Sequence, residues 1–232
     1  MAGRVIAITG AFGVLGSAVA KAAAEQGYKV ILIDYAATPP AGLLAACGPQ
    51  AQVLGGVDLS EPGAATTAID NAAQAFDGLD VLVNIAGGFA WQTLADGAPE
   101  AWDAMFRMNL ATAANASRAA IPHLAGSKAG RIVNIGASGA VKAAAGMGAY
   151  AASKAGVHKL TESLAEELKA QGITVNAVLP SIIDTPTNRA DMPDADHAAW
   201  VAPADLAAVI LFLASEEARA VTGALLPVTG RV

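Results

Sequence analysis

Tyr150 and Lys154 are the two side chains in this sequence whose types and spacing most directly suggest proton-transfer chemistry. They lie in the alanine-rich stretch AYAASKAGVHKLTESLAEELKAQG, which indicates a helix. Residues four positions apart share one face of a helix, so the phenol and the ammonium can meet. A nearby cation lowers the pKa of a phenol from about 10 towards the working pH. The pair therefore predicts an acid/base centre in which Tyr150 gives or takes the proton.

A second motif consists of three glycines, Gly10, Gly13 and Gly16, in ITGAFGVLGSAVAKAAAEQGYKVILID. Glycine costs a helix roughly 1 kcal/mol relative to alanine, so glycines in an alanine-rich chain indicate a need for open backbone. At a turn from a parallel strand into a helix, the helix N terminus offers N–H groups to a pyrophosphate. We expect Gly10 to make the turn, Gly13 to admit the phosphates and Gly16 to allow close packing. A strand–helix turn without a ligand is the alternative.

An acidic residue, Asp34, closes the next apolar run. Its separation from the glycines is about that at which dinucleotide-binding folds place an acid on the adenosine ribose. A carboxylate there accepts a hydrogen bond from the 2′-OH and repels a 2′-phosphate. Because Tyr35 and Ala36 follow it and neither is basic, we expect NAD(H) to be favoured over NADP(H). A solvated acid at a strand end is the alternative.

Short β-branched runs alternate with longer alanine-rich stretches, which is typical of parallel strands joined by helices. The predicted strands are Val5–Thr9, Lys29–Asp34, Gln52–Val57, Val81–Asn84, Arg131–Ile135, Thr174–Val178 and Leu225–Val228. The predicted helices are Val14–Gln26, Pro62–Phe76, Ala101–Leu124, Ala149–Gln171 and Ala204–Ala214. This alternation predicts one α/β domain over residues 1–232, a Rossmann-type doubly wound parallel sheet of about seven strands with helices on both faces.

One irregular segment interrupts this alternation, at about residues 181–200, where Pro186 and Pro193 stand among polar residues. We expect it to form a flap on the substrate side. Trp91 and Trp200 are placed where a substrate ring could stack, and ordinary packing of loops onto the domain is the alternative.

Composition and net charge argue against several classes of binding partner. The formal net charge is −6 and no cluster of Lys or Arg occurs, which argues against nucleic acid and anionic membranes and leaves a small-molecule substrate. The single cysteine, Cys47, excludes an internal disulfide framework and fits a reducing compartment. The apolar runs are too short for a signal peptide or a membrane span, so we expect a cytoplasmic protein. The three histidines are scattered, and no metal site is expected.

Taken together, the motifs resemble those of the short-chain dehydrogenase/reductase family over essentially the whole chain. The glycine turn is TGAFGVLG, the segment after the fourth strand is NIAG, and the tyrosine and lysine stand in YAASK. The resemblance implies an NAD(H)-dependent oxidoreductase that acts on a carbonyl, alcohol or imine-like centre. It also implies that Tyr150 exchanges a proton with the substrate, while Lys154 binds the nicotinamide ribose and lowers the pKa of the phenol.

Other family motifs extend the implied site. VDL implies Asp58 and Leu59 as adenine contacts, and MNL supplies Asn109, the helix asparagine that anchors a proton-relay water in the family. LPSIIDT implies Ile183 beside the carboxamide and Thr185 beside the amide or a phosphate. The residues expected to contact the dinucleotide are Gly10, Phe12, Gly13, Val14, Leu15, Gly16, Asp34, Tyr35, Asp58, Leu59, Asn84, Ala86, Gly87, Tyr150, Lys154, Pro180, Ile183 and Thr185.

The catalytic serine of the family is missing from its usual position. It usually stands thirteen residues before the tyrosine, which is Ala137 here, and Ser138 follows one residue later. Ser138 is a catalytic candidate if the loop shifts by one residue; a loop-capping hydroxyl is the alternative. Dihydropteridine reductases of this family keep the tyrosine and lysine without the serine. The stretch VLPSIIDTPTNRADMPDADHAAW also resembles that branch.

The resemblance further implies self-association. Ala101–Leu124 and Ala149–Gln171 correspond to the helices that form the dimer interface of the family, so we expect a homodimer or homotetramer. Two other functions stay open at this point. One is a quinonoid dihydropteridine reductase, and the other is a non-catalytic NAD(H)-binding sensor. Retention of both Tyr150 and Lys154 argues against the sensor, because binding alone does not need a titratable phenol.

Overall fold

The computed structural model describes residues 3–232, so the first two residues of the expected domain lie outside the described range. It contains a sheet of seven strands. The strands are β1 (Val5–Thr9), β2 (Lys29–Ile33), β3 (Gln52–Leu54), β4 (Val81–Asn84), β5 (Arg131–Ile135), β6 (Thr174–Pro180) and β7 (Leu225–Val228).

Helices connect these strands. They are α1 (Val14–Glu25), α2 (Leu43–Ala46), α3 (Pro62–Ala75), α4 (Glu100–Met105), α5 (Thr112–Ala125), α6 (Gly148–Leu168), α7 (Pro186–Asp191) and α8 (Pro203–Ala214). The single helix predicted over Ala101–Leu124 is divided, because the π-helical segment Phe106–Ala111 joins α4 to α5. Among the described residues, no helix has both the length and the apolar character needed to cross a bilayer.

The sheet is parallel throughout, and its strand order is β3-β2-β1-β4-β5-β6-β7. The order reverses at β1, which pairs with β2 on one side and with β4 on the other. In open α/β sheets, ligands bind outside the carboxyl ends of the strands at such a switch point. The predicted fold class is confirmed.

Two apolar layers cover the two faces of the sheet. On one face, α1 and α8 pack side by side over Ile6, Ile8 and Leu32; on the other, α3 and α5 pack together over Ala7 and Ile31. Side chains alternate between the faces along each strand, so consecutive apolar residues are buried on opposite sides. The many alanines of these helices allow close approach to the sheet.

Strand ends differ from the predicted ones for local reasons. β2 ends at Ile33 and β3 at Leu54, where the sequence predicted Asp34 and Val57. Gly56 has a φ of +73°, a left-handed conformation that does not continue a strand. β6 instead runs two residues further than expected, to Pro180, because Pro180 still pairs with Val228 of β7.

Candidate active site

The loops that follow β1, β4, β5 and β6 meet at the carboxyl edge of the sheet. Thr9, the last residue of β1, fixes two of them, since its Oγ1 accepts hydrogen bonds from the backbone N–H groups of Ile85 and Ala86, both at 3.1 Å. The glycine turn and the segment after β4 are thereby held together. No role for Thr9 is predictable from the sequence, because its partners lie more than seventy residues away.

The three glycines of the turn are required for different reasons. Gly10 has a φ of +64°, and a Cβ there would lie 2.7 Å from the backbone nitrogen of Ala86. A Cβ on Gly16 would overlap the carbonyl oxygen of Gly10. Gly13 has a φ of −69°, and its Cβ would meet only that same oxygen, at an ordinary 3.5 Å. The fold itself therefore requires Gly10 and Gly16, whereas neither φ nor packing within the chain requires glycine at position 13.

The N terminus of α1 begins at this open position. Gly13 is its N-cap residue, so no side chain caps the helix, and the first N–H groups of a helix have no partner within it. Val14 and Leu15 supply such groups. The side chain of Leu15 itself is buried in the core, so only its backbone can face a ligand.

Asp34 stands beside this turn, directly after β2. One carboxylate oxygen accepts from the N–H of Phe12 at 2.8 Å, and the other accepts from the N–H of Ala36 at 3.0 Å. The next side chain, Tyr35, is 77 % exposed. Bare backbone at Gly13, an uncapped helix and a carboxylate at the neighbouring strand end fit a dinucleotide. Asp34 also holds the glycine loop, a second role that the sequence did not predict.

At the expected adenine subsite, Asp58 is half-buried and Leu59 is buried. An Asp58 oxygen accepts from the Ser60 hydroxyl at 2.7 Å and from its N–H at 2.9 Å, which lowers the pKa of the Asp58 carboxyl. Leu59 is buried in the core, so its side chain is not available to an adenine. Asn115 donates to the carbonyl oxygens of Leu59 and Ser60. No role for it was predicted from the sequence. It fixes this loop from α5.

The side chain of Asn84 is likewise not open to a cofactor. Its Nδ2 donates to Asn134 of β5 at 2.9 Å and to Ser117 of α5 at 3.0 Å, in the buried layer beneath the strands. The amide fixes β4 against β5 and α5, which leaves the backbone of Asn84 for the expected cofactor contact. The backbone of the following segment, with Ala86 and Gly87, does reach the edge of the crevice.

Asn109 lies in the π-helical segment and is almost completely buried. Its Oδ1 accepts from the N–H of Gly88 at 2.9 Å, and its Nδ2 donates to Ser153 Oγ of α6 at 3.0 Å. A Cβ on Gly87 would lie 2.5 Å from that Oδ1 and 3.5 Å from Lys154 Nζ. Asn109 thus connects the loop after β4 to the helix that carries the tyrosine and lysine.

Tyr150 and Lys154 lie in the first two turns of α6, as their spacing predicts. Burial raises the pKa of Tyr150 to about 12 and lowers the pKa of Lys154 to about 8. The Lys154 ammonium donates to the carbonyl oxygen of Ile135 at 2.8 Å. The expectation that Lys154 lowers the phenol pKa is therefore corrected, because burial dominates and the phenol keeps its proton at neutral pH.

The Ser138 hydroxyl is engaged at the end of β6. β5 stays in register with β4, and Ala137, two residues after the strand, is buried. The Ser138 hydroxyl donates to the carbonyl oxygen of Pro180 at 2.9 Å. A hydroxyl has one proton, so in this arrangement Ser138 cannot also donate to a substrate oxygen. The loop-capping alternative describes its position.

The segment of residues 181–200 is partly ordered by its own contacts. Thr185 caps α7, since its Oγ1 accepts from the N–H of Asn188, and Ile183 forms a parallel bridge with Val201. Trp200 is only 7 % exposed and its ring contacts that of His197 with centroids 4.5 Å apart. Stacking of a substrate ring on Trp200 is therefore excluded in this arrangement, and packing is its role.

Two aromatic residues instead lie exposed in the loop after β4. Phe89 meets the Tyr150 ring edge-on, with centroids 4.9 Å apart. Trp91 is 59 % exposed, and its Nε1 donates to the carbonyl oxygen of Ala145 at 3.0 Å. Gly146 has a φ of +76°, and a Cβ there would overlap the indole of Trp91. The loop after β4 is thus fixed against the segment before α6, with apolar rings facing outwards.

Comparisons with known proteins agree with this geometry. A family model described as short chain dehydrogenase matches residues 4–196. The chain is 31 % identical to 3-oxoacyl-[acyl-carrier-protein] reductase FabG of Vibrio cholerae over 237 residues, covering 98 % of this chain and 96 % of that protein. It is 33 % identical to 2,5-dichloro-2,5-cyclohexadiene-1,4-diol dehydrogenase LinX of Sphingobium indicum over 246 residues, with 99 % and 96 % covered.

Solved structures give the same result. Carveol dehydrogenase from Mycobacterium avium, in complex with NAD, superposes with a TM-score of 0.89 at 30 % identity, covering 99 % of this chain and 97 % of that one. An NAD⁺-bound xylitol dehydrogenase superposes with a TM-score of 0.90 at 23 % identity, covering 99 % and 98 %, and supports the fold alone. Within residues 3–232, no three metal-ligating side chains form a group that could hold an ion.

Proposed function

The chain belongs to the short-chain dehydrogenase family and is an oxidoreductase, and we propose that it works with NAD(H), with Tyr150 as the acid/base. The observation that carries this proposal is the pair of the half-buried Tyr150 and the buried Lys154 on one face of α6, where Lys154 reaches the carboxyl end of β5. When bound, the nicotinamide would supply or accept the hydride. The chain provides the proton, the orientation and the exclusion of water.

The proton state of Tyr150 favours a role as donor. A phenol with a pKa of about 12 is protonated at neutral pH and can give its proton to an oxygen or nitrogen of the substrate. That step accompanies reduction of a carbonyl or imine-like centre. Lys154, with a pKa of about 8, is mostly charged at neutral pH and is held at Ile135. Its three donors allow it also to bind ribose hydroxyls.

The coenzyme preference follows from Asp34. Its carboxylate stands where a 2′-phosphate would meet a negative charge, and Tyr35 and Ala36 offer no cation. NAD in the carveol dehydrogenase complex is consistent with this choice. NADH should bind at least about tenfold more tightly than NADPH, which corresponds to about 1.4 kcal/mol for one mismatched charge contact.

The substrate we infer is a small uncharged molecule with an apolar or flat part. Phe89 presents an exposed ring beside Tyr150, and Trp91 in the same loop presents an exposed ring that is held against Ala145. Ala137 in the position of the family serine leaves the phenol as the proton donor. A quinonoid dihydropteridine reductase is the narrower candidate, supported by that alanine and by the resemblance of residues 178–200.

Self-association is part of the proposal. Trp102, Phe106 and Met108 are exposed along α4 and the π-helical segment, within the predicted interface helix. Their apolar surface and the surrounding alanines suit contact with a second copy in a homodimer or homotetramer. A cytoplasmic location stays a prediction from composition.

The test is a binding and turnover screen with the purified protein. NADH and NADPH are titrated by coenzyme fluorescence, and oxidation of each is followed with a panel of carbonyls, quinones and quinonoid dihydropterin. We expect tighter NADH binding and turnover with at least one uncharged member of the panel. Tighter NADPH binding would contradict the role of Asp34. NADH binding without turnover of any member would favour the sensor.

A further inference from the structure

His158 is a buried histidine one turn beyond Lys154 on the same face of α6. No catalytic or binding role for it was predicted from the sequence. Its Nε2 accepts a hydrogen bond from the backbone N–H of Ala137 at 3.3 Å. A Cβ on Gly136 would lie 2.5 Å from the same nitrogen and 3.2 Å from Cδ1 of Leu179. Gly136 therefore provides the clearance that lets the imidazole reach the backbone of the loop after β5.

Two turns of α6 thus hold one short loop at two points. Lys154 donates to the carbonyl oxygen of Ile135, and His158 accepts from the N–H of Ala137, with Gly136 between them. In the family pattern, the position of Ala137 carries the catalytic serine. Here it has no side-chain oxygen. Gly136 and Ser138 on either side donate to Val178 and Pro180 of β6, whereas the N–H of Ala137 between them is held by α6.

We propose that His158 is a positioning residue, which in its neutral form holds the loop of residues 135–138 against α6 and so keeps Lys154 and Tyr150 aligned for proton transfer. The part that concerns proton transfer rests on the proposed function. Because Nε2 accepts from Ala137, the ring proton is on Nδ1. Protonation would turn Nε2 into a donor facing another donor, and the hydrogen bond would be lost.

The surroundings keep the ring neutral near pH 7. Burial and the neighbouring charge of Lys154 lower the pKa of His158, with Lys159 acting in the same direction and Glu162 in the opposite one. The loop after β5 meets the ring with Gly136 and Ala137, and Leu179 of β6 lies next to Gly136. None of these three residues carries a charge. The loop should therefore stay intact when the pH falls just below 6.5, the approximate ordinary pKa of histidine. It should be released at a lower pH, where His158 becomes protonated.

The direct test is amide exchange at Ala137, measured by NMR on the full chain between neutral and acidic pH. His158→Leu removes the acceptor, whereas His158→Gln keeps an acceptor that does not titrate. We expect His158→Leu to lower protection at Ala137 by at least about tenfold, and His158→Gln to keep it within about threefold. Protection in the natural protein should fall on acidification relative to His158→Gln. The control is His123→Gln, which changes a half-buried histidine paired with Asp70 far from the loop.

Unchanged protection in His158→Leu would overturn the proposal. If that variant does not fold, identical pH profiles of protection in the natural protein and His158→Gln would overturn it equally. This measurement needs no substrate, so it stands even if the turnover screen fails.

Activity then separates positioning from simple packing. With a substrate found in the screen, His158→Leu should lower kcat by at least about tenfold while the NADH dissociation constant stays within about twofold. His158→Gln should retain kcat and lose the acid limb of the pH profile. Full kcat in His158→Leu at every pH would contradict the alignment role.

Discussion

At the residue scale, burial of the Lys154 ammonium, which the proposed function requires, lowers the stability of the folded protein. Its ammonium is buried, and Ile135 is its hydrogen-bond partner. Lowering a lysine pKa from 10.5 to about 8 corresponds to about 3 kcal/mol, at about 1.4 kcal/mol per pKa unit. Below pH 8 the lysine is charged in both states, so the folded protein bears this full cost. As the pH rises towards 10.5, only the folded protein loses the proton, and stability increases.

Lys154→Met should therefore abolish activity and yet stabilise the fold at neutral pH. Methionine fills similar space without a charge, although the carbonyl oxygen of Ile135 loses its donor, which offsets part of the gain. We expect a higher Tm than that of the natural protein at pH 7 and a difference that shrinks as the pH approaches 10.5. Thermal unfolding at several pH values measures this. A lower Tm for the variant with no pH dependence of the difference would contradict it.

Ser138 gives a second prediction at this scale. Its proton is used at Pro180, so Ser138→Ala should lower turnover by less than about threefold, far from the 10²–10⁴-fold typical of a lost acid/base group. Steady-state kinetics with the best substrate of the screen decides this. A loss as large as that of Tyr150→Phe would mean that the loop rearranges to form an ordinary serine-containing site.

Single residues were predictable from the sequence where the contact is local. Helical spacing predicted that Tyr150 and Lys154 share one face. The separation of Asp34 from the glycines identified this acid as a candidate ribose contact. Thr9, Asn115 and His158 were missed because their partners lie far along the chain or are backbone groups, which no spacing rule reveals. Burial reversed the expected pKa shift of Tyr150, since desolvation depends on packing that the motif does not contain.

At the scale of elements, the glycine turn separates the requirements of folding from those of binding. Gly13→Ala should leave stability unchanged, because φ is −69° and the new Cβ makes one ordinary contact. It should weaken NADH binding by at least about tenfold, since the methyl group occupies the surface offered to the phosphates. Fluorescence titration and thermal unfolding measure the two effects.

The matched control is Gly63→Ala in the first turn of α3, where a Cβ meets nothing within 4 Å. It should leave NADH affinity unchanged and raise the free energy of unfolding by up to about 1 kcal/mol, because alanine is favoured over glycine in a helix. Equal NADH affinity in Gly13→Ala and the natural protein would contradict a phosphate site at this turn.

In the long helix near Ala101–Leu124, the ends were predictable from the sequence but the internal break was not. Its existence and its ends are nearly as predicted, because alanine-rich composition and apolar periodicity are local properties. The π-helical segment Phe106–Ala111 within it carries Asn109, which forms hydrogen bonds with Gly88 and Ser153. These partners come from two other parts of the chain, so composition and periodicity gave no sign of the segment.

For the whole molecule, alternation of apolar strands and helices was sufficient to predict the doubly wound sheet. Parallel strands need long crossovers, and right-handed crossovers leave few arrangements. What the sequence could not define is the substrate, because it depends on loops such as that of Phe89 and Trp91 rather than on the sheet.

Self-association is the prediction that belongs to this scale. Phe106 is 54 % exposed at the start of the π-helical segment, and Phe106→Glu would place a charge in the proposed interface. Light scattering at micromolar concentration should show a dimer or tetramer for the natural protein and a smaller species for this variant. Leu44→Glu, at an exposed leucine of α2, is the control and should not change the mass. A monomeric natural protein would overturn the proposal.

The most direct test of the central claim compares turnover of Tyr150→Phe with that of the natural protein, on every substrate that the natural protein reduces. NADH binding is measured in parallel by fluorescence. We predict a 10²–10⁴-fold lower turnover, roughly the range expected for a lost proton donor, with nearly unchanged NADH affinity because the hydroxyl acts on the substrate. Full activity of Tyr150→Phe on all of these substrates would contradict the assignment of Tyr150 as the acid/base.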